Sequence, residues 1–396
     1  MSKQFELISE KYIDHNKVNR IFILGSANGS GNLGDEAMFE SITGYFQHKY
    51  PQIKITTDVT KFPFESVYPN VDKKLPMYGS VKNYRTYYKL IEFYGLKYIG
   101  LGFYNFWSKI FKSTELTRYK NEFENCDYIL FSGAGAINSR FRSYGIFGWG
   151  SLTYLAKAMK KNVFFSGHGI GPFSASYHEN CAVSFLKDST AVRCRDEISY
   201  SFLKEKGLNN ITWGIDDAYF IEQKSNEEVE KILKANHVSE NYIVLSFHQW
   251  NSSFDFNKFT KIAKFFLKKT NYQIVLLGNK IKPTMDDIPV LLAFKKEYFE
   301  NDARVVVLEP PYTPQVSKGI IGKSKLLITT RYHPAIFSGE PNIPCIALSF
   351  DPYYYQKFVG ALAGRDNVLN LDLNDNVDKN IDLIMKFSMD HKVINS

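Results

Sequence analysis

The chain has 396 residues, 44% of them hydrophobic, and a formal net charge of +8. This length exceeds what one ordinary hydrophobic core accommodates, so we expect two domains. The mild positive excess suits anionic ligands or a membrane surface, and no block of Lys and Arg resembles a nucleic-acid site. The four scattered cysteines lack CxxC or zinc-ligand spacing, which argues against disulfides and metal and fits a reducing cytosol. Neither a signal peptide nor a membrane-spanning run is visible, so a cytoplasmic location is expected.

Strand-like apolar runs alternate with helical patterns in the first half of the chain. They predict an N-terminal domain over residues 1–225, with an aromatic-rich insertion at 76–120. The predicted strands include 21–24, 128–131 and 163–165, and the predicted helices include 35–50, 148–160, 176–187 and 198–206. Alternation of this kind indicates parallel βαβ units.

The second half repeats the alternation. It predicts a C-terminal domain over residues 226–375 and a final helix at 376–396 that could pack on the first domain. Polar or glycine-rich motifs follow strand after strand in both halves, and the carboxyl ends of parallel strands face the ligand crevice. The predicted fold is therefore α/β, with two Rossmann-like parallel-sheet domains facing a central cleft.

The turn Arg331-Tyr332-His333 follows a short apolar run and precedes a predicted helix that begins at Pro334. In a parallel sheet, such a turn faces the crevice, and the following helix directs its N-terminus there. Arg331 is a permanent cation, and His333 is a titratable group that exchanges protons. The turn is therefore predicted to bind an anion and to move a proton.

The loop at residues 25–37 contains the glycine spacing GxGxxG between a predicted strand and a helix. Three interpretations stay open. The first is dinucleotide binding, with Asp58 as the acid that binds ribose. The second is a tight turn with Asp35 as the helix N-cap. The third is a loop lining the cleft, in which Asn32 and Asp35 face the substrate.

Two further glycine turns follow predicted strands of the first domain. In SGAGAINSR, Asn138 is a candidate for binding an acceptor hydroxyl, although a plain turn between strand and helix is an equal alternative. In SGHGIGPF, His168 lies between glycines, and we expect it to be exposed to the crevice.

Arg193 and Arg195 are two residues apart, so in extended geometry both side chains point the same way. Paired arginines at a strand end suit a phosphate or carboxylate through bidentate, charge-assisted bonds. Asp196 is expected to cap the following helix, and one arginine could instead pair internally with Asp196 or Asp216. We expect one arginine to bind ligand and the other to be structural.

The first strand of the second domain ends close to His248 and Trp250. A sugar ring could stack on the indole of Trp250, and packing at a domain interface is the alternative. Both residues are candidates for binding the acceptor.

In order along the chain, NLGDEA, SGAGAIN, GHGIGPF, VRCRDEIS and RYHPAIFSGEPNIPCIALSFD resemble the motifs of the polysaccharide pyruvyl transferase family, over roughly residues 20–365. The resemblance implies a GT-B-like fold, with the acceptor on the N-terminal domain and the donor on the C-terminal domain. It implies transfer of the enolpyruvyl unit of phosphoenolpyruvate onto two hydroxyls of a sugar, which forms a pyruvate ketal and releases phosphate. It also ties Arg195, Arg331 and His333 to donor binding and catalysis. Tyr332 stands where the family often has Leu, and Lys357 is displaced from the usual lysine, so its role is left open.

The implied chemistry suits these residues, because the donor carries a phosphate and a carboxylate and needs fixed cations. His333 is the candidate acid, and Asp35 or His168 would position or deprotonate the acceptor. The candidate donor-binding residues are Arg193, Arg195, Arg331, Tyr332 and His333. The candidate acceptor-binding residues are Asn32, Asp35, Asn138, His168, His248 and Trp250. The acceptor is expected to be a cell-wall or exopolysaccharide sugar or a lipid-linked oligosaccharide; no redox cofactor and no metal are implied.

The segment at residues 81–120 is rich in aromatic and basic side chains. It is expected either to dock at the inner face of the membrane or to form an aromatic lid on the first domain. Two rival functions remain: a GT-B glycosyltransferase that uses a nucleotide sugar, and a non-catalytic sugar-binding protein of the same fold.

Overall fold

The computed structural model describes residues 13, 18–25, 31–59, 71–76, 114–248, 256–281, 287–310 and 312–394. The chain divides into two compact units. The first unit takes the described residues up to Gly25 and then Met38–Asp217, and the second takes Gly31–Ala37 and the chain from Ala218 onward. The sequence placed this boundary at residue 225, and it did not anticipate that Gly31–Ala37 belongs with the second unit.

The first unit is built on a seven-stranded parallel sheet in the order β3-β2-β1-β4-β5-β6-β7. Its strands are β1 (Arg20–Leu24), β2 (Lys54–Val59), β3 (Lys73–Pro76), β4 (Tyr128–Phe131), β5 (Asn162–His168), β6 (Ala191–Cys194) and β7 (Ile211–Trp213). Its helices are α1 (Leu33–Lys49), α2 (Thr114–Asn125), α3 (Trp149–Ala158), α4 (Ser176–Asp188) and α5 (Glu197–Glu205). All four residues of β4 are buried, as expected of a central parallel strand covered on both faces.

The second unit is built on a six-stranded parallel sheet in the order β10-β9-β8-β11-β12-β13. Its strands are β8 (Tyr242–Ser246), β9 (Gln273–Leu277), β10 (Val305–Leu308), β11 (Leu327–Thr329), β12 (Cys345–Ser349) and β13 (Val368–Asp372). Its helices are α6 (Asn226–Ala235), α7 (Phe256–Lys269), α8 (Asp287–Phe299), α9 (Pro314–Lys323), α10 (Tyr332–Phe337), α11 (Pro352–Ala361) and α12 (Val377–Asp390). The sequence allowed α12 to pack on the first domain; its buried Ile384 and Phe387 lie in the core of the second unit.

Strand order reverses direction once in each sheet. In the first sheet, β1 lies between β2 and β4, and in the second, β8 lies between β9 and β11. Ligands of open parallel sheets bind at such reversals, outside the carboxyl ends of the strands. In the second sheet, this places the residues that follow β8, β9 and β11 at one edge, which includes the Arg331-Tyr332-His333 turn.

The predicted α/β fold with two parallel sheets is confirmed, and the first helix begins two residues earlier than predicted. Helix α1 begins at Leu33, and Asn32 caps it, because its Oδ1 accepts a hydrogen bond from the Gly34 amide at 3.3 Å. The alternative in which Asp35 is the N-cap is therefore wrong. Asp196 caps α5 as predicted, accepting from the Ser199 amide at 2.7 Å.

Most of the aromatic insertion at 76–120 lies outside the described residues. None of the helices within the described ranges is both long enough and apolar enough to cross a bilayer.

Candidate active site

Arg331 lies at the carboxyl end of β11 and forms a buried ion pair with Asp287, the first residue of α8. Asp287 Oδ2 also accepts hydrogen bonds from the backbone amides of Asn279, at 2.9 Å, and Lys280, at 3.0 Å. Arg331 is 9% exposed, and its buried Nε has no hydrogen-bond partner among the described residues. Asp287 therefore fixes one side of the guanidinium and leaves an N–H group uncommitted.

Asn279 joins this ion pair to the NLGD segment. Its Nδ2 donates to Asn32 Oδ1 at 2.9 Å, and its carbonyl oxygen accepts from the Leu33 amide at 2.9 Å. Asn32 in turn donates from Nδ2 to Asp35 Oδ2 at 2.7 Å. A continuous set of hydrogen bonds thus runs from Asp35 through Asn279 to Asp287 and Arg331, all within the second unit.

His333 is fixed between Gly34 and Tyr332. The imidazole lies so close to Gly34 that a Cβ atom at this position would overlap the ring, which explains why glycine is required there. The imidazole also contacts the ring of Tyr332: the two ring centroids are 5.0 Å apart at an interplanar angle of 81°. His333 is only 7% exposed, so its orientation is set by packing.

His248 follows β8 at the same edge and is 3% exposed. Its Nδ1 lies 3.3 Å from the hydroxyl of Thr330, and its ring packs against Phe350 and Tyr354 with centroids 5.7 and 5.8 Å apart. Trp250 lies outside the described residues. The structure thus brings Asn32, Asp35, His248, Arg331, Tyr332 and His333 to the carboxyl edge of one sheet.

The first unit holds the other predicted residues, and its arginines are both committed internally. Arg193 pairs with Asp217, and Arg195 donates to Asp216 at 2.9 Å. The two arginines are 7% and 3% exposed, and burial lowers the pKa of Arg193 to about 10. We expected only one arginine to pair internally; the expectation was wrong because the GIDD turn after β7 supplies two successive carboxylates.

His168 was expected to be exposed to the crevice, and this is wrong. It is fully buried, lies 3.2 Å from the carbonyl oxygen of Phe131, and packs edge-to-face on Trp149 and Phe165. Burial lowers the pKa of His168 to about 3, so the imidazole is neutral at ordinary pH.

Asn138 is 1% exposed, and both ends of its amide are used by the local backbone. Its Oδ1 accepts from the Phe141 amide at 3.0 Å, and its Nδ2 donates to the carbonyl oxygen of Gly135 at 2.7 Å. The amide therefore shapes its own turn, which agrees with the plain turn that the sequence left open and not with the alternative of acceptor binding.

Asp58, the candidate ribose-binding acid, is buried at the end of β2. Its Oδ1 accepts from the Gly25 amide at 3.0 Å, and the Tyr119 hydroxyl donates to its Oδ2 at 3.5 Å. Burial raises its pKa to about 7. The carboxyl group is thus occupied by the protein, which removes the observation that supported dinucleotide binding.

Sequence reasoning missed Asn279 and Asp287, although each carried a signal. Asn279 follows β9 just as the recognised motifs follow their strands, and Asp287 lies at the start of a helix. Within the described part of the chain, no group of three or more His, Cys, Asp or Glu side chains could hold a metal ion.

Several solved structures share this fold at low sequence identity. The UDP-GlcNAc 2-epimerase of Methanocaldococcus jannaschii is 15% identical with a TM-score of 0.58, over 93% of this chain and 92% of that one. MnaA of S. aureus, solved with UDP, is 13% identical with a TM-score of 0.59, over 94% and 88%. A glycosyltransferase of Rickettsia africae ESF-5 is 15% identical with a TM-score of 0.54, over 94% and 89%. These similarities establish a GT-B-like fold and nothing about the reaction.

No curated protein sequence matches the chain. The family model for polysaccharide pyruvyl transferase matches residues 32–352. The match spans most of the chain and includes both the NLGD segment and the Arg331-Tyr332-His333 turn, which meet at one sheet edge. The chain therefore belongs to the polysaccharide pyruvyl transferase family.

Proposed function

We propose that the protein transfers the enolpyruvyl group of phosphoenolpyruvate onto two hydroxyls of a sugar in a cell-surface polysaccharide or its lipid-linked precursor. Membership of the family supports a pyruvyltransferase of polysaccharide biosynthesis. That phosphoenolpyruvate is the donor and that a ketal is the product are parts of our proposal that go beyond family membership. The observation that carries it is that the NLGD segment and the Arg331-Tyr332-His333 turn, about 300 residues apart, form one hydrogen-bonded cluster.

Arg331 is proposed to bind the anionic groups of the donor. A guanidinium presents several N–H donors in one plane, and Asp287 holds it in a single orientation. The buried Nε–H has no hydrogen-bond partner among the described residues, and in this proposal it donates to a phosphate or carboxylate oxygen when the donor binds. Charge-assisted bonds of this kind are shorter and stronger than neutral ones.

His333 is proposed to protonate the methylene carbon of phosphoenolpyruvate, which turns it into a methyl group. A sugar hydroxyl then bonds to the adjacent carbon, the C–O bond to phosphate breaks, and a second hydroxyl closes the ketal. Of the two hydroxyl protons, one replaces the proton that His333 gave and the other leaves with phosphate. Asp35, held by Asn32, is the proposed base that takes the first hydroxyl proton and passes it to the leaving phosphate, so the second hydroxyl proton returns to His333.

In this proposal, Arg195 of the first unit has a structural role and does not bind the donor. Because the side chain of Arg195 is 2% exposed and paired with Asp216, we propose that it acts by fixing the GIDD turn. His168 and Asn138 are not proposed to touch the acceptor, because both are committed inside the first unit. Docking of residues 81–120 on a membrane remains a proposal, and liposome co-sedimentation with and without anionic lipid tests it.

The decisive experiment compares donors in the purified protein. Phosphoenolpyruvate should raise the melting temperature, and phosphate should be released from it when an acceptor from a panel of aryl galactosides, glucosides and mannosamines is added. Stabilisation by UDP- or GDP-sugars, with no effect of phosphoenolpyruvate, would instead favour a nucleotide-sugar glycosyltransferase. Full activity in cells of Arg331→Ala and His333→Ala variants would indicate a non-catalytic protein.

A further inference from the structure

Lys357 lies against the aromatic ring of Tyr332. Its ammonium nitrogen is 4.6 Å from the centroid of that ring. A cation within about 6 Å of an aromatic centroid is attracted by the negative face of the ring, and the attraction grows as water is removed. Tyr332 is 4% exposed and Lys357 is partly buried, so the pair is largely shielded from solvent.

Two other rings lie near Lys357, but they belong to its own helix. Tyr353 and Tyr354 are one turn earlier in α11, and their centroids are 5.5 and 5.9 Å from the ammonium nitrogen. Neighbours at such spacing meet in any helix. Tyr332 comes from a different helix and is the nearest of the three, so it determines where the charge lies in the fold.

The same tyrosine ring also contacts His333, in the edge-to-face geometry described above. Tyr332 therefore has Lys357 on its face and His333 near its edge. We infer that Tyr332 is a positioning residue, which holds Lys357 as a second positive charge beside Arg331 and keeps the imidazole of His333 in place. The inference rests on the proposed function, because it takes the Arg331-Tyr332-His333 turn as the site of an anionic donor.

The charge of the proposed donor explains why a second cation would be needed. A donor with both a phosphate and a carboxylate carries more negative charge than one arginine balances, particularly when Asp287 already neutralises part of that arginine's charge. A leucine at position 332 has no π face and could not hold an ammonium group. Tyr332 therefore provides the aromatic face that Lys357 contacts in this chain.

The kinetic test uses a matched pair of variants. Tyr332→Phe keeps the ring and should stay within about threefold of wild type, whereas Tyr332→Leu should raise KM for phosphoenolpyruvate by about 3- to 30-fold, the range of a cation–π contact. Lys357→Met should raise KM similarly, and the double variant Tyr332→Leu, Lys357→Met should lose no more than either single one. Additive losses, or a Phe variant as impaired as the Leu variant, would overturn the inference.

A spectroscopic test needs no substrate. After reductive methylation with ¹³C-formaldehyde, the lysine methyl protons are observed by NMR, and the Lys357→Arg variant identifies the resonance of Lys357. Shielding by the Tyr332 ring should move that resonance further upfield in wild type and Tyr332→Phe than in Tyr332→Leu, where the rings of Tyr353 and Tyr354 remain near Lys357. The same upfield shift in Tyr332→Leu as in wild type overturns the inference.

The two tests separate the inference from the proposed function. If wild type releases no phosphate from phosphoenolpyruvate but the resonance behaves as expected, the proposed donor is wrong while the pairing of Tyr332 with Lys357 stands. If phosphate is released but the resonance ignores position 332, the pairing is wrong and the proposed donor stands.

Discussion

Both units place arginine–aspartate pairs at the carboxyl edge of a parallel sheet, and the two edges differ in how many protein groups hold each arginine. In the first unit, Arg193 donates to Asp217 and to the carbonyl oxygen of Ile215, and Gly214 packs against its guanidinium. In the second unit, Asp287 is the one ion-pair partner of Arg331 among the described residues.

This difference in partners shows that an arginine at a strand end is not in itself a ligand site. What decides its role is how many of its donors the protein already uses and what packs on the guanidinium. We therefore propose that the first edge is a scaffold and that the second edge binds the ligand. Four experiments test this contrast, in order of decreasing expected effect.

Arg193→Ala should destabilise the fold most. The substitution leaves Asp217, which is fully buried, without its cation, and breaking a buried pair costs about 3–5 kcal/mol of unfolding free energy. Urea denaturation measures the loss. The control is Lys157→Ala, which removes an exposed pair with Asp188 and should cost less than about 1 kcal/mol. Equal losses for the two variants would show that the first edge is not a scaffold.

Arg331→Ala should act mainly on turnover. Losing a buried charge that binds an anionic substrate should lower kcat/KM for phosphoenolpyruvate by roughly 10²- to 10³-fold. Steady-state phosphate release measures it. Arg304→Ala, at a partly exposed pair with Asp302 in the same unit, is the matched control and should leave kcat/KM unchanged. An active Arg331→Ala enzyme would remove the contrast between the edges.

Gly34→Ala should displace His333. The added methyl group would overlap the imidazole, and a misplacement of about 1 Å at a catalytic group can lower kcat by about 100-fold. Gly44→Ala, in the same helix but with nothing within 4 Å of the new methyl group, is the control. It should stabilise the protein by up to about 1 kcal/mol and leave kcat unchanged. If Gly34→Ala also keeps full kcat, the packing of His333 on Gly34 has no catalytic meaning.

Two buried groups of the first unit should give opposite dependences of stability on pH. Burial lowers the pKa of His168 to about 3, so its contribution is present above its ordinary pKa near 6.5 and is lost as pH falls toward 3. Burial raises the pKa of Asp58 to about 7, so its contribution is present below its ordinary pKa near 4 and is lost as pH rises toward 7.

Between pH 4.5 and 6.5, the two slopes oppose each other in wild type. Asp58→Asn should therefore lose up to about 1 kcal/mol per pH unit relative to wild type as pH falls, and His168→Gln should lose stability as pH rises. Urea denaturation at three pH values within this window measures both. Parallel slopes in the two variants would show that burial does not control these groups.

The fold was predictable because its signals are local. The predicted strand YILF coincides with β4, and the predicted helix at 176–187 differs from α4 by one residue, since runs of apolar residues and helical periodicity are properties of neighbouring positions. The site was only partly predictable. His168 looked exposed because it lies between glycines, and its burial depends on Trp149, a residue from another element.

Contacts between distant segments account for the remaining misses. Nothing near Asn32 in the sequence reveals that Asn279 binds it, and nothing near Arg331 reveals Asp287. The register that brings these residues together is set by the strand order of the second sheet. Sequence motifs therefore located the Arg331-Tyr332-His333 turn, and only tertiary structure showed what orients it.

The assignment of Gly31–Ala37 to the second unit has a practical consequence for dissecting the protein into parts. A fragment that starts at Ala218 would lack Asn32 and Gly34, so Asn279 would lose a hydrogen bond and His333 a packing surface. Such a fragment would report on an incomplete site, however well it folds. An isolated second unit has to include residues 31–37 as an added peptide, because this unit is built from two segments that are far apart in the sequence.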